Sequence, residues 1–195
     1  MIGKLACNAA RKFIKNPDCC YDQFEIYQYG FFILFSNLIF FILTIILGAV
    51  LDVFFQSIVF FVAFFSIRQY AGGYHAATET KCEILSTLSI FLCLAVVRLS
   101  KIYDFRTVLL FVSVVSAICI FVICPLDTPE KPLSKKEVKY FRKISWLILL
   151  VISIAVVVSY FVQLQWIRII FVPCGLSLTL ECILLFAGKL KRLVA

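Results

Sequence analysis

Six long apolar stretches, each nearly free of charged residues, dominate this chain of 195 residues. Their approximate limits are 30–51, 53–67, 83–97, 107–124, 144–164 and 166–187. About 20 apolar residues in a helix cross the hydrocarbon core of a bilayer, so the pattern predicts an all-α integral membrane protein with about six transmembrane helices. Hydrophobic residues make up 63% of the chain, which leaves little length for a soluble domain. We therefore expect a single membrane domain over residues 1–195.

The second and third stretches are short for a full crossing, at roughly 15 to 17 residues each. They predict either crossings with little tilt or re-entrant segments in a protein with four full spans. The fifth stretch is bracketed by Trp146 and Trp166, which lie about 30 Å apart along a helix. Because tryptophan favours the membrane interface, this pair supports a complete fifth crossing.

Basic residues are distributed unevenly between the segments that connect the spans. With six crossings, 15 Lys and Arg residues fall on the side of the termini and 4 fall on the opposite side. The positive-inside rule then predicts that both termini lie in the cytoplasm. The segment between spans two and three is expected on the same side.

Residues 1–29 precede the first span and are expected to form an amphipathic, interfacial N-terminal segment. One helical face carries Ile2, Leu5, Ala6, Ala9 and Phe13, and the other carries Lys4, Arg11, Lys12 and Lys15. Such a helix is expected to lie on the anionic lipids of the inner leaflet. The alternative is a disordered basic tail.

The single histidine, His75, excludes several classes of enzyme. A zinc protease of the H-E-x-x-H type needs two imidazoles on one helix face. The chain also lacks a G-x-S-x-G elbow, a Walker A loop, a G-x-G-x-x-G motif and a C-x-x-C pair. Its nine cysteines show no disulfide-framework spacing and are expected to be free thiols. We expect no metal ion, no cofactor and no nucleic-acid partner.

The segment 68–82, between spans two and three, concentrates the chemically active side chains. A thiolate is a strong nucleophile once a neighbouring imidazole takes its proton, so Cys82 and His75 together favour a nucleophile and a general base. On one continuous helix these residues lie about 10.5 Å apart along the axis, which is too far for a hydrogen bond. The segment must therefore fold back, and Gly72 and Gly73 supply the backbone freedom.

Cys82 is expected at the N-terminus of a helix that Thr78 or Thr80 caps. There the helix dipole favours the thiolate, and backbone N–H groups stabilise an oxyanion. Arg68 offers a second cation, either for a substrate carboxylate or for fixing the loop. Alternatively, Arg68 only marks the end of span two as a snorkelling side chain. A polar loop that merely turns the chain is the alternative for the whole segment.

Arg68, the segment Ala71–Ala76 (AGGYHA) and Cys82 together resemble the motif of the accessory gene regulator protein B (AgrB) family. The segments Ile26–Gly30 and Pro125–Leu133 also resemble parts of that family, and the likeness covers nearly the whole chain. Members of the family are membrane cysteine endopeptidases of bacterial quorum sensing. The resemblance implies a multi-pass protein of the bacterial cell membrane with a catalytic loop on the cytoplasmic side.

The resemblance also implies individual roles and partners. Cys82 is the expected nucleophile and His75 its base, while Arg68, Gly72 and Gly73 support the site. The expected substrate is a precursor peptide of the AgrD type, which is cleaved through a thioester and closed to a thiolactone or lactone. A homodimer is also expected from the family.

The fourth connecting segment, residues 125–143, is expected to be a basic cytoplasmic loop. It carries six basic residues against three acidic ones. Precursors of the family typically end in an acidic recognition segment, which this loop would attract. The residues expected to bind it are Lys131, Lys135, Lys136 and Lys139. The alternative is that these lysines only set the topology and contact anionic lipid.

Glu181 lies about six residues inside the sixth stretch, where a carboxylate is costly unless it is paired or protonated. The simplest expectation is that it reaches the cytosolic interface. It could also pair with Arg68 or a loop lysine, or line the path of the substrate peptide.

Two other functions fit the residues. Without the resemblance, the polar span residues Asn37, Gln56 and Glu181 favour a small transporter or an assembly subunit. A membrane thiol protease that releases a linear product is a second enzymatic interpretation. The choice between water and an internal nucleophile depends on the shape of the site, which the sequence does not give.

Overall fold

A computed structural model describes residues 2–13, 21–74, 79–126, 134–162 and 165–194. Within these ranges the protein consists of seven α-helices and contains no β-strand, which confirms the predicted all-α class. The helices are α1 (Ile2–Phe13), α2 (Tyr21–Val50), α3 (Phe54–Ala71), α4 (Glu79–Leu99), α5 (Arg106–Ile123), α6 (Lys135–Phe161) and α7 (Gln165–Val194).

Six of these helices, α2 to α7, are long and apolar enough to cross a membrane, as predicted. The crossing segments of α3 and α4 have 18 and 20 residues, more than the apolar pattern suggests. The difference arises because both helices continue into polar residues at the ends of their apolar stretches. Each is one uninterrupted helix about 27 to 30 Å long, which matches the thickness of the hydrocarbon core.

The chain divides into two compact units, residues 1–43 and 44–195. The first unit contains α1 and the greater part of α2. In α1, Lys4 and Arg11 are exposed whereas Ala6 is fully buried. Exposed basic side chains and a buried apolar one within a single helix agree with the predicted amphipathic helix.

The second unit is built around α7. In the most apolar 18 residues of the α7 span, 61% are buried, compared with at most 28% in the same length of any other candidate span. The helix packs against α3, α4, α5 and α6. Small residues allow close approach: a Cβ on Gly175 would lie only 2.7 Å from the Ser113 hydroxyl of α5. Because α7 packs against four other helices, it lies at the centre of this unit.

At one end of this unit, carboxylates pair with the basic residues of the α4–α5 turn. Asp52, between α2 and α3, accepts hydrogen bonds from Arg98 at 3.1 Å and Lys101 at 3.2 Å. The hydrogen bond from Lys101, together with the charges of both cations, lowers the pKa of Asp52. Arg106 pairs with Asp104 at 3.1 Å. Arg98, Lys101 and Arg106 are therefore each paired with a carboxylate.

The connecting segments at the opposite end are shorter than expected. Both ends of segment 68–82 are helical, so residues 72–78 alone connect α3 to α4. Helix α6 begins at Lys135 because Ser134 and Glu137 form a capping box. The Glu137 N–H donates to the Ser134 hydroxyl at 3.3 Å, and the Ser134 N–H donates to the Glu137 carboxylate at 2.8 Å. Much of the expected basic loop is thus helical.

Candidate active site

We call residues 68–74 the Arg68 turn. They comprise the last turn of α3, the glycine pair Gly72 and Gly73, and Tyr74. Arg68 donates from Nη1 to the carbonyl of Gly72 at 2.8 Å and from Nη2 to the carbonyl of Tyr74 at 2.7 Å. Both glycines have positive φ, +82° and +138°, which residues with a side chain rarely adopt. The guanidinium therefore fills the inside of the turn and fixes the backbone from which His75 follows.

Neither glycine of the turn has room for a side chain. A Cβ on Gly73 would overlap the guanidinium of Arg68, and a Cβ on Gly72 would lie 2.6 Å from the carbonyl oxygen of Leu126. The N–H of Leu126 in turn donates to the carbonyl of Ala71 at 2.8 Å. The Arg68 turn is thus enclosed between the end of α3 and the segment that follows α5.

One face of α7 supports the Arg68 turn from another side. The N–H of Tyr74 donates to the carbonyl of Leu184 at 3.0 Å. One turn later, a Cβ on Gly188 would lie 3.0 Å from the carbonyl carbon of Gly73. The Lys191 ammonium lies 5.8 Å from the centre of the Tyr74 ring. These α7 residues are spaced by three or four positions and so share one helix face.

Glu181 lies one turn earlier on this face of α7. Its side chain is completely buried, and its Oε2 lies 3.8 Å from Nη1 of Arg68. That distance allows an ion pair but not a hydrogen bond, and neither carboxylate oxygen has a hydrogen-bond partner among the described residues. The expectation that Glu181 reaches the cytosolic interface is wrong, because the central position of α7 encloses it. Arg68, one of the partners expected for Glu181, does lie beside it.

The expected nucleophile, Cys82, lies in the first turn of α4, which begins at Glu79. Its side chain is partly exposed. The N–H groups of a first helical turn have no partner within the helix, so this end of α4 presents donors near the thiol. Thr80 lies within the helix and does not cap it. His75 and Thr78 lie outside the described residues, and the contact between His75 and Cys82 stays a prediction.

Three of the other thiols are more deeply buried than Cys82. All cysteines in the described part of the chain are free thiols, as expected. Cys124, Cys174 and Cys182 are buried, and burial raises the pKa of the Cys124 thiol at the end of α5. Thiols in such surroundings are inert. Over the same residues, no group of His, Cys, Asp or Glu side chains has the arrangement of a metal site.

Three of the lysines expected to bind substrate lie on the first turns of α6 rather than in a loop. Lys135, Lys136 and Lys139 are exposed there. The ring of Tyr70, within the Arg68 turn, lies 6.0 Å from the ring of Phe141 on α6. The lysines are therefore at the same end of the unit as the turn. Lys131 lies outside the described residues.

A cavity of about 290 Å³ lies at the other end of the second unit. It is lined by Gln56, by the turn between α4 and α5, and by the start of the crossing segment of α7. Along α3, Gln56 precedes Arg68 by about 18 Å. Gln56 therefore lies far from Glu181, and within this unit the two residues do not line one common path.

Sequence reasoning did not identify three residues that hold the Arg68 turn. Leu126 and Leu184 act through backbone groups, so their side chains carry no signal. Gly188 does carry a sequence signal, because a glycine inside a helix often marks the close approach of another backbone.

The helices and the turn define a class of protein: a multi-pass membrane protein with a thiol at the start of one membrane helix and an arginine-bound glycine turn at the end of the preceding one. The chain matches the Accessory gene regulator B family over residues 6–185 and belongs to that family. Membership assigns it a role in accessory gene regulation.

Two relatives show how far the similarity extends. The chain is 27% identical to a putative AgrB-like protein of Clostridium perfringens (strain SM101 / Type A) over 176 residues, which cover 84% of this chain and 81% of that protein. It is 31% identical to accessory gene regulator protein B of Staphylococcus aureus (strain MRSA252) over 148 residues, or 73% and 78% of the two chains. No solved structure matches significantly.

Proposed function

We propose that this protein is a membrane cysteine endopeptidase that cleaves an AgrD-like precursor and closes the N-terminal product into a thiolactone or lactone for quorum sensing. The Arg68 turn is the observation that carries the proposal. It fixes the backbone as far as Tyr74, directly before His75, while α4 fixes Cys82. Only residues 75–78 separate these two anchors along the chain, and this short connection limits how far His75 can lie from Cys82.

In the first step, the Cys82 thiolate attacks the carbonyl carbon of the scissile peptide bond. The C–N bond breaks, and the imidazolium of His75 protonates the departing amine. The N-terminal part of the precursor is then held as a thioester on Cys82, while the C-terminal part leaves. N–H groups of the first turn of α4 then serve as donors for the oxyanion.

In the second step, an internal Cys or Ser of the precursor attacks the thioester carbonyl and gives its proton to His75. A new thioester or ester bond forms, and the bond to the Cys82 sulfur breaks. Exchange of one thioester for another is nearly balanced in energy, so ring closure needs a bent chain and exclusion of water. A thiol at the start of a membrane helix suits this requirement.

We place this site on the cytoplasmic side of the membrane. The distribution of 15 basic residues against 4 supports that orientation. Three of those four, Arg98, Lys101 and Arg106, are moreover paired with carboxylates. The exposed basic residues of α1 and α6 would then contact anionic lipids of the inner leaflet.

The mass of the product tests the proposal directly. The purified chain is reconstituted in liposomes with an AgrD-like precursor, ideally the one encoded beside it, and the products are followed by intact mass. We expect an N-terminal product one water lighter than the hydrolysed peptide. A product at the full hydrolysed mass would instead establish a protease with linear products, and the absence of any product from the cognate precursor would contradict both.

The lysines of α6 should act on substrate binding and not on the chemical step. We expect Lys135→Gln, Lys136→Gln and Lys139→Gln, combined in one protein, to raise KM about 10-fold with little change in kcat. The physical reason is long-range attraction of an acidic peptide, which salt screens. Steady-state cleavage at low and high salt measures it. Processing that is unchanged at low substrate concentration would refute the role, and a precursor with neutralised acidic residues is the control.

A further inference from the structure

Glu181 is a completely buried carboxylate that the proposed chemistry does not use. A buried charge is costly unless it is compensated, and the ion pair that the structure gives it is with Arg68 at 3.8 Å. The Arg68 side chain itself is only 20% exposed. The pair thus lies inside the helix bundle, beside the Arg68 turn.

The contacts of Arg68 link this carboxylate to the turn. The same Nη1 that lies 3.8 Å from Glu181 donates to the carbonyl of Gly72, and Nη2 donates to the carbonyl of Tyr74. An arginine near the surface gains hydration if it turns outward. The carboxyl group of Glu181, buried 3.8 Å from Nη1, attracts the guanidinium to the inward orientation, in which both carbonyls are bound.

Loss of the inward orientation would leave the turn with fewer constraints. Three backbone hydrogen bonds would remain, from Tyr74 to Leu184, from Leu126 to Ala71 and from Gly72 to the carbonyl of Arg68. None of these bonds involves Gly73 or the carbonyl of Gly72. The direction in which the chain leaves Tyr74 would then vary.

We propose that Glu181 is a positioning residue of the active site, which acts through Arg68 on the turn that precedes His75. This inference rests on the proposed function, because it needs His75 as the base for Cys82. Replacement of Glu181 should disturb the chemical step and leave binding of the precursor intact. We expect E181Q to lower kcat by about 10-fold with KM changed by less than about 2-fold.

The pH dependence of Cys82 alkylation separates positioning from general stability. The full chain in liposomes is treated with iodoacetamide across a pH series, and modification of Cys82 is quantified by mass spectrometry. We expect H75A to move the profile to higher pH and E181Q to move it in the same direction. The control is S177A, which removes a fully buried hydroxyl one turn away on α7 and should leave the profile unchanged.

The outcomes distinguish the two proposals. A shift in H75A without a shift in E181Q would overturn the role of Glu181 and leave the proposed function standing. No shift in H75A would instead contradict the pairing of His75 with Cys82. A shift in S177A equal to that in E181Q would also overturn positioning, because it would reveal a general effect of changes in α7.

A double-variant comparison keeps the inference testable if E181Q does not accumulate in the membrane. R68Q/E181Q lacks both members of the pair, and loss of a whole buried pair is often tolerated. If Glu181 acts through Arg68, it has nothing to act on in the R68Q background, and R68Q and R68Q/E181Q should give the same profile. A further shift in the double variant would overturn the proposal.

Discussion

Replacement of Cys82 by alanine should abolish cleavage of the precursor while the protein still inserts into the membrane. Without the thiol no thioester can form, and loss of a covalent nucleophile lowers kcat by roughly 10⁴-fold or more. The helix should persist, because Cys82 is partly exposed and alanine is the best helix former. Intact-mass detection of products and the thermal midpoint of the purified protein measure the two effects.

Cys93→Ala and Cys174→Ala are the matched controls. Cys174 is buried on α7, so its replacement should lower the thermal midpoint while the folded fraction still cleaves the precursor. For Cys174→Ala we thus expect lower stability with activity retained, whereas for Cys82→Ala we expect activity lost with stability retained. Processing at an ordinary rate by the Cys82→Ala protein would exclude the thioester mechanism. A complete loss of activity in folded Cys174→Ala protein would show that the loss in Cys82→Ala is not specific to the nucleophile.

The membrane helices could be predicted because the bilayer imposes one strong requirement. A crossing segment must be apolar over a fixed length, and the six helices that contain the apolar stretches meet this requirement. Their ends could not be placed by the same rule, because charged first turns hide a helix start from a hydropathy pattern. At α6 the signal was local instead: Ser134 and Glu137 have the spacing of a capping box.

The site was only partly predictable. Gly72 and Gly73 indicate a reversal of the chain from residue type alone, because few other residues adopt positive φ. The burial of Glu181 depends on which of six similar apolar helices lies at the centre of the bundle, and periodicity does not distinguish them. The acceptor for Tyr74 is the backbone carbonyl of Leu184, which carries no sequence signal at all.

Gly73→Ala should remove nearly all activity from a protein that still folds. The residue has a φ of +138°, and a Cβ there would overlap the guanidinium of Arg68. Either Arg68 must leave the turn or the backbone must change, and both release the carbonyl of Tyr74. Misplacement of a catalytic group by about 1 Å costs on the order of 100-fold in rate, so we expect kcat to fall by at least that factor.

Gly48→Ala is the control that separates this effect from a simple clash. A Cβ on Gly48 would overlap the Ser57 side chain, where the end of α2 packs against the start of α3 and far along α3 from Arg68. We expect a lower thermal midpoint but near-normal kcat for the folded fraction. Equal losses of kcat in the two variants would mean that any tight contact in this unit matters as much as the turn. Activity close to wild type in Gly73→Ala would show that catalysis does not depend on the position of Arg68.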